Sequence, residues 1–379
     1  MVHRRGHGGY WLIPSRYSPQ LRVDYDAVQD EGGRRIMGPR PSRRQFLALG
    51  VAAACVPSLG LMADISEGPD RIPHWRTQFR QVAPNIYAFI REGGPGIDNA
   101  SLSNAGLIVG PDNCMLIDSL GPPIHAKELR AAVLRTTRKP VTRIVHTHHH
   151  RDHTNGDYLW GPVEIVTTEA DRKLLLEQGI PAHPYDTRPQ WQAGIQELKL
   201  APSTTAISGP VTYWYGDLEV RLLTPGPAHT AGDIMVYVPR YRLLFAGDIA
   251  FFYVAPADFN GYISSWLKVT DQILSMDVDV IVPGHGPIGG KRELADMAGY
   301  LRMLQTEIRK GYDAGKTPGQ AAADANLGRY AAWGNLERVP AAAVRLYAEW
   351  NGNLAPETDV AGQAAAQKEY AAIMASRHS

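Results

Sequence analysis

Residues 146–153 read His146-Thr147-His148-His149-His150-Arg151-Asp152-His153. Inside this octet His148, His150, Asp152 and His153 follow the pattern H-x-H-x-D-H. A short turn cannot withdraw four such groups from water unless each finds a partner. One or two divalent cations partner all four, and mixed imidazole and carboxylate donors suit zinc, iron or manganese. A solvated histidine tract is the competing reading. A tag-like tract lies at a terminus and lacks an interleaved aspartate, whereas this octet sits in mid-chain. His146 and His149 fall off the ligand spacing. His146 closes an apolar strand, and His149 is expected to point away from any metal.

Three later positions extend the donor set. His229 lies in the glycine-rich stretch GPAHTAGD (226–233), Asp248 closes the apolar run LLFAGD (243–248), and His285 lies in IVPGHG (281–286). Each stands where a strand gives way to a loop, so a rigid sheet can aim all three into one cleft. Taken singly, each has an ordinary alternative as a turn or loop residue. Asp118 ends the apolar run 114–118. It either orients a ligand histidine or caps the helix that follows Pro122-Pro123.

Taken in order, THHHRDH, GPAHTAGD, LLFAGD and VPGHG resemble the metallo-β-lactamase superfamily over roughly residues 82–290. The glyoxalase II-like and lactonase-like branches are the most similar. This resemblance implies an α/β fold, an αββα sandwich with a dimetal site at one edge of its two sheets. It implies two zinc ions per chain, with iron or manganese as alternatives. His148, His150 and His229 would hold the first, Asp152, His153 and His285 the second, and Asp248 would bridge them, supported by Asp118. Family β-lactamases usually carry cysteine or serine at the position of Asp248. An ester, thioester or lactone hydrolase using a metal-bridging hydroxide is therefore expected, with Asp152 also steering the nucleophile and its proton. Two alternatives stay open: a mononuclear iron sulfur dioxygenase of the same fold, and an exported metal-binding protein without turnover.

The 379 residues carry 39 basic and 38 acidic side chains, a net charge of +1. No basic field marks a nucleic-acid surface, so the expected partner is a small-molecule substrate. Of the two cysteines, Cys55 and Cys114, the second sits in an apolar strand and reads as a core thiol. Ser42-Arg43-Arg44-Gln45-Phe46-Leu47, ahead of the weakly apolar run 48–54, resembles a twin-arginine export signal, which implies a periplasmic or extracellular protein. Residues 37–63 would form that signal. Residues 1–36 would be a disordered leader or a mis-called start ahead of Met37, and 64–81 a linker. No segment is long and apolar enough to span a membrane.

Within 82–290, strands are expected at 85–91, 105–109, 114–118 and 142–145, then around 211–223, 234–238 and 242–245. The run 278–282 reads as the last central strand. Loops 179–210 and 249–262 should set specificity, with Phe251, Phe252 and Tyr253 either walling the pocket or packing in the core. Residues 291–379 read as a helical appendage that packs or forms a homo-oligomer.

Overall fold

Period-two alternation in short apolar runs explains both sheets. In β4 (Cys114–Ile117), Met115 and Ile117 face one core while Cys114 and Leu116 face another. In β11 (Leu243–Phe251), Leu243 and Phe245 turn one way, Leu244 and Ala246 the other. Successive strand side chains point to opposite faces, so a strand covered on both sides is apolar throughout.

The computed structural model describes residues 72–95, 97, 102–179 and 193–377. The leader, the signal-like segment and residues 64–71 of the expected linker lie outside the described residues, as do 180–192 of the expected loop.

The first sheet runs β1 (Gln78–Ala83), β2 (Ile86–Ile90), β3 (Ala105–Val109), β4, β5 (Val141–Val145), β6 (Glu164–Thr168) and β7 (Thr205–Ile207), in that order. Its first four strands pair antiparallel and β4 to β7 pair parallel. The second sheet has the order β12 (Val280–His285), β11, β10 (Met235–Val238), β9 (Leu218–Leu223), β8 (Val211–Tyr215). Only its β11–β12 pair is parallel.

Three cores fix the layering. Ile108, Met115 and Val145 of the first sheet meet Val220, Val236 and Phe245 of the second. On the outer face of the first sheet, Leu107, Leu116 and Ile144 pack against Leu129 and Val133 of α1 (Pro123–Thr136). Outside the second sheet, Leu244 and Ile281 pack against Trp266 of α4 (Ile263–Ser275), Leu301 of α5 (Lys291–Asp313) and Leu346 of α7 (Val339–Trp350). This is the αββα sandwich. α6 (Pro318–Asp324) and α8 (Val360–Arg377) complete the C-terminal helices, and α2 (Arg151–Thr154) and α3 (Glu169–Gln178) flank the first sheet's loops. Among the described residues no helix is long and apolar enough to cross a membrane.

Three sequence expectations need correction. Residues 78–81, placed in the linker, begin β1, an edge strand whose polar side chains hide its period. β7 lies in the stretch read as loop and, at three residues, is too short for alternation to register. β12 is an edge strand, not a central one, with its outer side bridged by Gly289. The expected C-terminal helices are present, and α5 and α7 pack: they close the second sheet's outer core.

Asp258 lies in that outer layer with both carboxylate oxygens buried and without a hydrogen bond. Burial pushes its carboxyl up to about 8, against the pull of its own backbone amide and of Arg338 and Arg345. The folded chain therefore keeps a proton that the unfolded chain releases above about 4. Its contribution to stability is present below about pH 4 and declines as pH rises to about 8. At pH 7 the loss approaches ~4 kcal/mol. The unfolding free energy of metal-free Asp258→Asn should rise steadily relative to that of the parent chain from about pH 4 to about 8. A pH-independent difference between the two would refute this.

Candidate metal centre

The octet leaves the C-terminal end of β5 and turns into α2. Its backbone is anchored at once: the Thr147 amide donates to Asp118 Oδ1 at 2.8 Å and the Thr147 hydroxyl to Asp118 Oδ2 at 2.8 Å. Asp118 itself holds φ at 57°, a left-handed conformation that aspartate tolerates better than most residues. Its carboxylate also meets His153 Nδ1 at 2.8 Å. That contact fixes the ring so that Nε2 points inward. Asp118 does not cap α1, whose first turn starts at Pro122-Pro123 without a side-chain cap.

His229 arrives from the β9–β10 loop, where Asp233 accepts from the amides of Ala228 and Thr230 and from the Thr230 hydroxyl. Asp248 lies inside β11, which continues to Phe251 and does not end at 248 as the sequence suggested. The register shifts on both sides of Gly247, whose φ is 52°. His285 is the last residue of β12. Neighbouring Gly284 is required by contact, because a Cβ there would fall on Asp248 Oδ1.

These elements bring all seven expected donors together in two groups: His148, His150, His229 and Asp248, then Asp152, His153 and His285, with donor atoms in each group within 4.8 Å of one another. Asp248 faces both groups. Its Oδ2 lies 3.2 Å from His229 Nε2 and 3.7 Å from His148 Nε2, and its Oδ1 lies 3.1 Å from His153 Nε2. Asp152 Oδ2 sits 3.2 Å from His285 Nε2. The Asp152 side chain is 18% exposed while the others are nearly sealed, so the centre opens on the Asp152 side.

Whether these residues suit a metal can be judged from unmet donors and acceptors. His148 Nε2, His153 Nε2 and Asp248 Oδ1 are buried and make no hydrogen bond. His150 Nδ1 and His229 Nε2 face each other at 2.9 Å. Converging buried atoms of this kind demand an explanation, and a divalent cation supplies it. Electrostatics agree. Burial, reinforced by nearby histidine charge, holds His148 and His150 well below the usual imidazole range, and burial brings His229 down to about 3 despite Asp248. Those three rings are neutral at pH 7, the form that binds metal. Burial opposes charge on His153 too, but Asp248, Asp152 and Asp118 outweigh it and raise that ring well above its ordinary value. Asp248 resists its own burial and stays ionised chiefly because the charge of His153 and His285 outweighs it.

His146 and His149 stand outside both groups, as the spacing indicated. His146 Nε2 meets Asp157 at 2.8 Å, and His149 Nδ1 meets Asp171 at 3.0 Å. Phe251 and Phe252 are core residues, and Phe251 stacks on His285 with centroids 4.9 Å apart. The residues that sequence reasoning missed are the braces: Asp157, Asp171 and Asn260, the last meeting His150 Nε2 at 3.0 Å. Only an Asn-Gly turn signal marks Asn260 in the sequence.

The metallo-beta-lactamase superfamily model matches residues 98–285. Among curated relatives, the 2,4-dinitroanisole O-demethylase subunit alpha of Nocardioides sp. (strain JS1661) is 29% identical over 185 residues, 47% of this chain and 51% of that protein. A metallo-beta-lactamase type 2 from Bacillus cereus is 26% identical over 198 residues, 50% of this chain and 69% of the lactamase. The chain thus spans about half the length of the first relative. In solved structures, the inverting sec-alkylsulfatase Pisa1 from Pseudomonas sp. shares the fold with a TM-score of 0.52 at 18% identity, covering 74% of this chain and 52% of that one. Family model and relatives together support membership of the metallo-β-lactamase superfamily for this chain.

Proposed function

We propose that the chain is a metal-dependent hydrolase that holds two zinc ions, one among His148, His150 and His229, the other among Asp152, His153 and His285, with Asp248 shared between them. The observation that carries this is the position of Asp248, whose carboxylate contacts both groups: Oδ2 lies 3.2 Å from His229 Nε2 and 3.5 Å from His285 Nε2, and Oδ1 lies 3.1 Å from His153 Nε2. A lone carboxylate between two donor groups favours a metal pair over the single iron of a sulfur dioxygenase, which needs two histidines and a carboxylate.

A metal pair bound there supplies Lewis acidity and a water acidified toward neutral pH. The chain's residues do the rest. His148, His150 and His229 offer neutral nitrogen lone pairs without first shedding a proton. Asp118 keeps His153 Nδ1 occupied, so Nε2 faces the centre. Phe251 behind His285 and Trp266 beside His229 exclude water from the inner wall. Asp152, at the solvent side, stays ionised and accepts a hydrogen bond from the attacking water, orienting it. Its carboxyl is held low because His153 and His285 outweigh the effect of burial.

Asp248 rather than a thiol favours esters, thioesters and lactones. The relatives are named for different reactions, so the test is turnover by the zinc-loaded full chain across esters, thioesters, lactones, β-lactams, alkyl sulfates and aryl methyl ethers, with metal content measured on the same sample. Turnover of at least one carbonyl substrate, dependent on metal and lost on chelation, is expected. Inactivity on all of them with two zincs bound would leave a metal-binding protein without turnover and overturn the hydrolase reading.

A further inference from the structure

We propose that Asn260 is a positioning residue for His150, and that the C-terminal segment 355–358 holds Asn260 in place. This rests on the reading of His150 as a metal ligand.

His150 is one of two histidines of the octet's metal set whose outward nitrogen is braced by a side chain from elsewhere in the fold. Asp118 serves His153, and Asn260 serves His150. Asn260 is 1% exposed, and its Oδ1 lies 3.0 Å from His150 Nε2. An amide oxygen only accepts, so His150 Nε2 carries the proton. Nδ1 is then a bare lone pair, and it is the atom that faces His229 Nε2 across the centre.

The orientation of the Asn260 amide is fixed by residues about a hundred positions downstream. Its Nδ2 donates to the Pro356 carbonyl at 3.0 Å, and the Thr358 hydroxyl donates to its Oδ1 at 3.1 Å. A flipped amide would set oxygen against the Pro356 carbonyl. Arg345 of α7, 3% exposed, ties the two segments together. It donates to the carbonyls of Asn260 and Gly261 at 3.1 and 3.0 Å and to that of Ala355 at 2.8 Å. Gln363 of α8 donates to the Phe259 carbonyl at 2.8 Å. The Phe259 ring lies 4.7 Å from that of His150. The C-terminal segment is therefore part of the metal centre's support, although it contributes no donor to either group.

Outer partners of ligand histidines typically set metal affinity by about 10- to 100-fold. Zinc affinity of the full chain, measured by chelator competition, should fall by about 10- to 100-fold for one of the two equivalents in Asn260→Leu. The other equivalent should stay near its parent value. Asn260→Asp keeps an acceptor toward His150 but turns its second oxygen toward the Pro356 carbonyl, so it should recover part of the loss, a recovery that a merely structural role would not show. Thr358→Val should give a smaller loss of the same kind. An Asn260→Leu chain that binds both equivalents as tightly as the parent overturns the proposal and leaves the dizinc reading intact. A parent chain that binds no zinc overturns the dizinc reading instead. If Asn260→Leu does not fold, the tautomer decides. Imidazole nitrogen-15 spectra of the metal-free parent, with His150 assigned by its absence in His150→Gln, should show the proton on Nε2. A proton on Nδ1 refutes the proposal.

Discussion

Asp248→Asn is expected to lower zinc affinity by about 10²- to 10⁴-fold and to abolish most turnover with it. The substitution keeps shape and removes one charge. That charge sits 3% exposed among His148, His153, His229 and His285, which are its counter-charges or co-donors. Removing one partner of a buried ionic group leaves the other uncompensated, at about 3–5 kcal/mol. At about 1.4 kcal/mol per factor of ten, that cost is the expected loss of affinity. Because the carboxylate contacts both groups, both metal equivalents should weaken. Equilibrium dialysis against a graded chelator reads this directly. If one equivalent keeps its parent affinity while the other vanishes, Asp248 belongs to a single group and is not shared.

His148→Ala should remove metal from the first group and turnover together. His148 lies at the middle of the cluster, with ring centroids 4.6 Å from His150, 4.3 Å from His153 and 4.6 Å from His229. Zinc sites bind with about 10–16 kcal/mol across some four ligands, so one lost imidazole weakens binding by about 3–4 kcal/mol, on the order of 10²- to 10³-fold. The fully buried ring also leaves a void beside three others. The metal-free chain should therefore unfold more readily than its parent. Metal content by mass spectrometry and turnover on one preparation check the pair of effects. A variant that keeps two zincs would contradict the ligand assignment.

The convergence of the seven candidate donors was legible because ligand chemistry is local. Four of the seven fall within six residues, and each of the others stands close to glycine at the end of an apolar run or in a glycine-rich loop. Glycine is needed there by close approach, as Gly284 shows beside Asp248. The sandwich was legible from runs buried on both faces, such as 114–117 and 243–246. What escaped depends on distant partners. Asn260 and Asp171 are ordinary residues in sequence, and only the fold brings them to His150 and His149. β1 escaped because an edge strand has one neighbour and polar side chains. The helices after residue 291 were legible, but not their partner, because an amphipathic pattern states that a face is buried and not which surface buries it. Leu301 and Leu346 in fact close the same core as Leu244 and Ile281.

Anomalous diffraction at the zinc edge, from crystals of the full chain grown with zinc, tests the central claim most directly. The expected result is two peaks, one bounded by His148, His150 and His229 and the other by Asp152, His153 and His285, with Asp248 between them. An absence of anomalous density among these seven residues, or one peak that Asp248 does not touch, would contradict it.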